Sequence, residues 1–162
     1  MLTLNAIGTL MSPKVLNRVI YGTLTPEPWR CAGLRVRPAI LRGFSRRQVR
    51  YADYPGIVAD EGKSVKGTYV TGLNSGDMHR LDVFEGCQYD RETVKVLLLD
   101  ESGKEVGEAE CSTYVFSDEE DLLKDEWSFE RFVRDKMHRW IGESKEYSGM
   151  SARQRMPPKK TG

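Results

Sequence analysis

A glutamate, Glu85, stands where a helix facing a core would carry a leucine. The stretch Arg80-Leu81-Asp82-Val83-Phe84-Glu85-Gly86 reads as a helix end. Asn74 and Ser75 are capping residue types, Asp77 suits a first turn, and Gly86 is the usual residue just past a helix terminus. On the helix so defined, Ser75–Glu85, the residues Met78, Leu81 and Glu85 fall at i, i+3 and i+7 with Phe84 beside them. That stripe is normally apolar. A carboxylate placed on it loses hydration and lies at the negative end of the helix dipole. Both effects raise its pKa toward the range of a general acid/base near neutral pH. The alternative is a helix-end glutamate turned to solvent, or one paired with Arg80 or Arg91.

A second set of residues suits the binding of negative charge. Gly8-Thr9-Leu10-Met11-Ser12 leaves a short apolar segment and enters a helix start, which frees backbone N–H groups to hold an anion or a developing oxyanion. An ordinary strand-to-helix turn has the same pattern. Tyr54-Pro55-Gly56 is a rigid turn whose aromatic either lines a pocket or caps a sheet. Arg35, Arg37, Arg42, Arg46, Arg47 and Arg50, with Phe44 and Tyr51 nearby, have the composition of a nucleic-acid grip. Several of these arginines alternate with apolar residues, so they read as the solvated outer face of strands. Cys87 has no histidine near it in sequence and reads as an inert thiol. His79 and His138 read as surface or boundary residues.

The elements that must position these residues are legible as periodicities. Between residues 34 and 116 short β-type runs alternate with turn signals. Runs at 34–36 and 39–41 precede Gly43, and a run at 49–51 precedes the turn at 52–56. The runs at 57–59 and 65–73 flank Asp60-Glu61-Gly62, which reads as a hairpin turn. Val94, Val96 and Leu98 alternate as in a half-buried strand, and Ser102-Gly103-Lys104 turns the chain into a second strand ending at Phe116. Ser12 and Pro13 start a helix over 13–20. Phe129, Phe132, Val133, Met137, Trp140 and Ile141 form an apolar stripe that predicts an amphipathic helix over 129–141, stopped by Gly142. The expected fold is α+β, a small curled mixed β-barrel with flanking helices. It fills a single domain over residues 1–142, followed by a polar, disordered tail over 143–162.

Composition narrows the function. The 162 residues are 39% hydrophobic and 30% charged with a formal net charge of +1, so no bulk electrostatic pull toward nucleic acid or membrane is expected. No run of apolar residues is long enough to cross a membrane. The first residues lack the basic region of a secretory signal. Cys31, Cys87 and Cys111 are widely spaced and the chain has 2 histidines, so neither a disulfide framework nor a zinc site is expected. A reducing, cytoplasmic compartment is the default.

Taken in order, these pieces resemble the AIG2-like branch of the gamma-glutamylcyclotransferase superfamily. The resemblance rests on Gly8-Thr9-Leu10 followed by a helix, on Tyr54-Pro55-Gly56-Ile57-Val58, and on Val65-Lys66-Gly67. It continues through Leu81-Asp82-Val83-Phe84-Glu85-Gly86 with Tyr89 and Arg91 after it, Thr113-Tyr114-Val115-Phe116, and Trp127-Ser128-Phe129-Glu130. The resemblance implies that Glu85 is the catalytic acid/base and that Ile7, Gly8, Thr9, Leu10, Met11 and Ser12 bind the γ-glutamyl part of a substrate. Tyr54, Tyr89 and Tyr114 are the candidate pocket lining. The implied reaction closes a γ-glutamyl group to 5-oxoproline and releases an amine or amino acid, with no metal or organic cofactor. Glutathione, γ-glutamyl amino acids, γ-glutamylamines and γ-glutamyl–lysine isopeptides share that reacting half. The family's first motif begins with an aromatic, and here the position is Ile7. Tyr21-Gly22-Thr23-Leu24 carries the motif's letters after the first helix and reads as a coincidental echo. Loss of the aromatic hydroxyl is expected to remove a pocket hydrogen bond worth about 1–3 kcal/mol. It motivates an alternative, a non-catalytic small-ligand-binding protein on the same fold.

Overall fold

The computed structural model describes residues 2–141; Gly142 and the tail expected over 143–162 lie outside the described residues. Strand β1 (Leu2–Ala6) leads through a single 3₁₀ turn (Thr9–Met11) into helix α1 (Pro13–Tyr21). A short helix α2 (Pro28–Cys31) precedes two long strands, β2 (Arg35–Val49) and β3 (Pro55–Leu73). Helix α3 (Ser75–Glu85) follows, then β4 (Tyr89–Leu99), β5 (Glu105–Phe116), β6 (Leu122–Glu126) and helix α4 (Phe129–Asp135). The strands form one sheet in the order β3-β1-β5-β4-β2-β6, and β2 also pairs with β3. That extra pairing closes β1 to β5 into a ring, with β6 added beside the end of β2. All neighbours are antiparallel except β1 and β5. The expected mixed barrel with flanking helices is therefore the observed fold.

Two apolar cores share this ring. Inside it, Ile7, Ala39, Leu41, Ile57, Val65, Val96 and Cys111 pack together. The second core lies between the sheet and the helices and is built on Leu4, Val70 and Leu73 with Val15, Leu16, Val19 and Ile20 of α1 and Met78, Leu81 and Phe84 of α3. Both helices start where the sequence places them. Ser12 accepts a hydrogen bond from the Val15 N–H. Asn74 and Asp77 form a reciprocal capping box, with the Asp77 N–H on Asn74 Oδ1 at 2.8 Å and the Asn74 N–H on Asp77 Oδ2 at 3.0 Å.

Three readings need correction. Asp60-Glu61-Gly62 is not a hairpin turn: Arg42 faces Ser64 and Phe44 faces Ala59, so the stretch is a bulge within the continuous strand β3. Gly43 and Gly62 both have φ of 84°, which glycine adopts freely in a bulge as well as in a turn. The same bulge shifts the inward/outward alternation of β2, so Arg46 lies opposite the buried Ile57 instead of on the outer face. The expected helix over 129–141 is broken: α4 ends at Asp135 and a 3₁₀ turn covers Met137–Arg139. Val133, assigned to the apolar stripe, is exposed.

The break serves a clasp. Trp127 Nε1 donates to the Asp53 carbonyl at 2.7 Å, and Trp140 Nε1 donates to Asp53 Oδ2 at 3.3 Å. The fully buried Trp140 ring packs between Tyr54, Phe84 and Phe132 at centroid separations of 6.2, 5.8 and 5.7 Å. A straight helix would give up this docking. Phe132→Ala should destabilise the protein by about 3–5 kcal/mol, whereas Val133→Ala should cost less than about 0.5 kcal/mol. Urea denaturation of both variants checks this, and equal losses would restore the continuous amphipathic helix.

Candidate active site

The parallel pairing of β1 with β5 brings the site together. Leu4 is level with Ser112, so two residues further on the end of β1 lies level with Tyr114. The chain then leaves the sheet through residues 7–11, beside the start of β3. A cleft open to solvent forms at this point. Asn5 to Leu10 form one wall, Tyr54 and Pro55 another, and Glu85, Tyr89 and Tyr114 complete it. Glu85 reaches it because α3 packs through Met78, Leu81 and Phe84, which leaves its last residue at the edge of the buried stripe, facing the opening.

Among the described residues the Glu85 carboxyl makes no hydrogen bond or ion pair. The arginines that were alternatives for it are engaged elsewhere. Arg80 pairs with Asp77 at 2.6 Å, and Arg91 pairs with Asp82 at 3.2 Å. Loss of hydration, and secondarily the negative charge of Asp82 one turn earlier, push the Glu85 carboxyl from 4.5 up to about 8. Asp82 itself is held by Arg91 and by the Tyr114 hydroxyl, which donates to Oδ1 at 2.7 Å. Burial, the bond to Asp82 and the neighbouring Glu85 keep Tyr114 protonated far above its ordinary range. Tyr89 is raised likewise, by burial first and then by Glu85 and Tyr54, and its hydroxyl donates to the Pro55 carbonyl at 2.7 Å. Tyr54 donates to Gln88 Oε1 at 2.6 Å. The cleft thus holds a protonatable carboxyl among neutral phenols.

The loop opposite is a source of donors. The Met11 and Ser12 N–H groups turn back onto the Gly8 and Thr9 carbonyls. Among the described residues the N–H groups of Gly8, Thr9 and Leu10 have no hydrogen-bond partner. Glycine is needed at position 8, where a Cβ would lie 2.9 Å from the Pro55 ring. Met11 and Ser12, read as part of the binding loop, are not in the cleft wall. Ser12 caps α1 and donates to Met137 Sδ at 3.2 Å, and Met11 Sδ accepts from Arg46. The Ile7 side chain is buried in the ring cluster, close over Gly67. Ile7 also lines the cleft, so an aromatic there would have to fit both the barrel packing and the cleft wall. Tyr21 ends α1 and Gly22 caps it, as expected of a coincidental echo.

The arginine-rich strand does not form one basic face. Arg42 pairs with Glu105 and Arg47 with Asp60, while Arg46 turns inward. The sequence reading missed both Arg46 and Asp82. Asp82 was visible one helical turn before Glu85; Arg46 was hidden by the shift of alternation at Gly43. No group of histidine, cysteine and acidic residues able to hold a metal occurs among the described residues, and no helix there is long and apolar enough to cross a membrane.

A carboxyl that binds its proton more tightly when folded adds stability that is complete below about pH 4.5 and is lost as the pH rises through about 8. Glu85→Gln removes that dependence. Relative to the unsubstituted protein, the variant should gain stability steadily between about pH 5 and pH 8, by at most about 1.4 kcal/mol per pH unit. Urea midpoints measured across that range test this. A difference that stays constant with pH would contradict the burial of the carboxyl.

The comparisons with known proteins agree with the geometry. The family model for gamma-glutamyl cyclotransferase, AIG2-like, matches residues 8–130. Protein AIG2 C of Arabidopsis thaliana is 32% identical over 130 residues, covering 76% of this chain and 76% of that protein. AIG2-like protein C of the same plant is 32% identical over 155 residues, covering 95% of this chain and 80% of its own. A solution structure of a further Arabidopsis thaliana protein superimposes with a TM-score of 0.60 at 27% identity, covering 90% of this chain and 89% of that one. With the family model matched over residues 8–130 and relatives 32% identical over most of its length, the chain belongs to the AIG2-like gamma-glutamyl cyclotransferase family.

Proposed function

We propose that this protein is a gamma-glutamylcyclotransferase that releases 5-oxoproline and an amine or amino acid from a γ-glutamyl compound, with Glu85 as general acid/base. The observation that carries this reading is that Glu85 and residues Gly8 to Leu10, whose N–H groups have no partner among the described residues, line one cleft. The α-amine of a γ-glutamyl group must lose a proton before it attacks its own γ-carbonyl. A carboxyl at about 8 is well matched to an α-ammonium, whose usual value is also about 8, so transfer between them is nearly balanced. The new bond joins the α-nitrogen to the γ-carbon, and the amide C–N bond to the leaving group breaks. The proton taken by Glu85 passes to the departing nitrogen, and the second proton that the α-nitrogen sheds on becoming the lactam N–H leaves with the released amine as its ammonium. Negative charge that develops on the γ-carbonyl oxygen is met by the Gly8, Thr9 and Leu10 N–H groups. The same contacts hold the substrate folded with its amine close to the carbonyl. Tyr114 commits its one hydroxyl hydrogen to Asp82, so toward the Glu85 side its oxygen offers only an acceptor.

The chemistry needs no external electron donor or acceptor, because it moves only protons and exchanges one C–N bond for another. Glutathione, a γ-glutamyl amino acid, a γ-glutamylamine and γ-glutamyl-ε-lysine form the panel on which 5-oxoproline release is to be measured. At least one should be turned over, with kcat/KM rising with pH through about 8 as free Glu85 loses its proton. Glu85→Gln should lower kcat at least about 100-fold, the scale of a lost general base. Unchanged turnover in that variant would remove Glu85 from the mechanism. Calorimetric binding of a panel member without any 5-oxoproline would make the protein a γ-glutamyl binder instead.

A further inference from the structure

Arginines on strands normally run outward and keep their charge in water. Arg46 does the reverse. Its Nη1 donates to the Ile7 carbonyl at 2.8 Å and more weakly to the Lys66 carbonyl at 3.3 Å and Met11 Sδ at 3.6 Å. The guanidinium lies over the Trp127 ring, 5.2 Å from its centroid. Arg46 forms no part of the cleft wall, so it grips the loop from behind. Its Nε is buried with no hydrogen-bond partner. A half-buried cation with an orphaned donor is costly, and although the charges of Glu126 and Glu130 offset part of that cost, they do not account for its grip on the loop.

The geometry of a single peptide supplies the reason. The Ile7 carbonyl and the Gly8 N–H are the two ends of one planar unit, and none of the described peptide bonds is cis. In a trans unit the C=O and N–H point in opposite directions. With the carbonyl fixed on the guanidinium behind the loop, the Gly8 N–H is turned to the cleft side, where it has no partner among the described residues. A cation on the carbonyl also polarises the unit and strengthens its N–H as a donor. We propose that Arg46 is a positioning residue: by holding the Ile7 carbonyl, it aims the Gly8 amide at the γ-carbonyl oxygen of the substrate and sharpens it as charge develops there. The role rests on the cyclotransferase reading of the cleft. Trp127 is part of the same device, because its ring supports the guanidinium while its indole N–H fixes the loop that carries Tyr54 and Pro55.

Two variants of the full chain test the role. Arg46→Met keeps the length of the side chain and its contact with Trp127 without donor or charge; Arg46→Lys keeps a charged donor that reaches the Ile7 carbonyl. The readouts are the Gly8 backbone 15N shift, which responds to a hydrogen bond on the preceding carbonyl, and kcat and KM on the panel compound that the unsubstituted protein turns over fastest. In Arg46→Met the Gly8 signal should move upfield by more than the β4 amides move, and kcat should fall at least about tenfold with KM within about threefold, as for a donor lost in the transition state. Arg46→Lys should recover most of both. A folded Arg46→Met protein with unchanged kcat, or with an unmoved Gly8 signal, overturns the positioning role alone. If Arg46→Met does not fold, Arg46→Lys decides: Gly8 shift and kcat must stay or move together, and either one changing without the other overturns the role. An unsubstituted protein that releases no 5-oxoproline overturns the cyclotransferase reading first, and the catalytic role of Arg46 with it.

Discussion

A half-buried carboxyl beside a second carboxylate is the constraint on which the rest of this structure turns. Glu85 would be cheaper as leucine for packing and cheaper in solvent for solvation. The fold permits neither. Leu81 and Phe84 commit α3 to the core, and the helix therefore delivers its last residue to the rim of that core. Asp82, one turn back, keeps the local potential negative, while Arg91 and Tyr114 compensate Asp82 and leave Glu85 without a partner among the described residues. The outcome is a group that holds its proton at neutral pH yet gives it up within reach of physiological conditions.

Closure of the sheet supplies the other half. A five-residue strand such as β1 is stable only because β3 and β5 flank it on both sides. Buried Asn5 fixes that strand: it donates to the Thr68 carbonyl at 3.0 Å, and its own carbonyl accepts from the Thr113 hydroxyl at 3.1 Å. The loop that follows starts from a rigid base, so its amides keep their direction when no ligand is present. Preorganisation of this kind spares the reorganisation that water would need to meet a developing charge. The C-terminal clasp extends the same principle, since Asp53, held by both tryptophans, anchors the turn that carries Tyr54 into the wall.

Much of this was legible in the residues. Helices α1 and α3 have strong caps and clear stripes, and local signals of that kind survive folding. The position of Glu85 on its stripe was sufficient to single it out. Features set by distant contacts were not legible. Gly43 and Gly62 mark positive φ, but a bulge and a turn use the same residue, so two long strands looked like a series of short ones. The resulting shift of alternation hid Arg46. The apolar run at 129–141 fits a helix, yet the pull of Asp53 on Trp140 breaks it after Asp135. Strand β6, Leu-Leu-Lys-Asp-Glu, carries little strand propensity of its own and exists through its pairing with β2.

The account stands on the protonation state of one side chain in the intact fold. Carbon-13 NMR of the Glu85 side-chain carboxyl, followed as a function of pH in the ligand-free protein, reads that state directly. A titration midpoint near 8 is the predicted result. A midpoint near 4.5, the ordinary value, would show a solvated carboxylate and contradict the account.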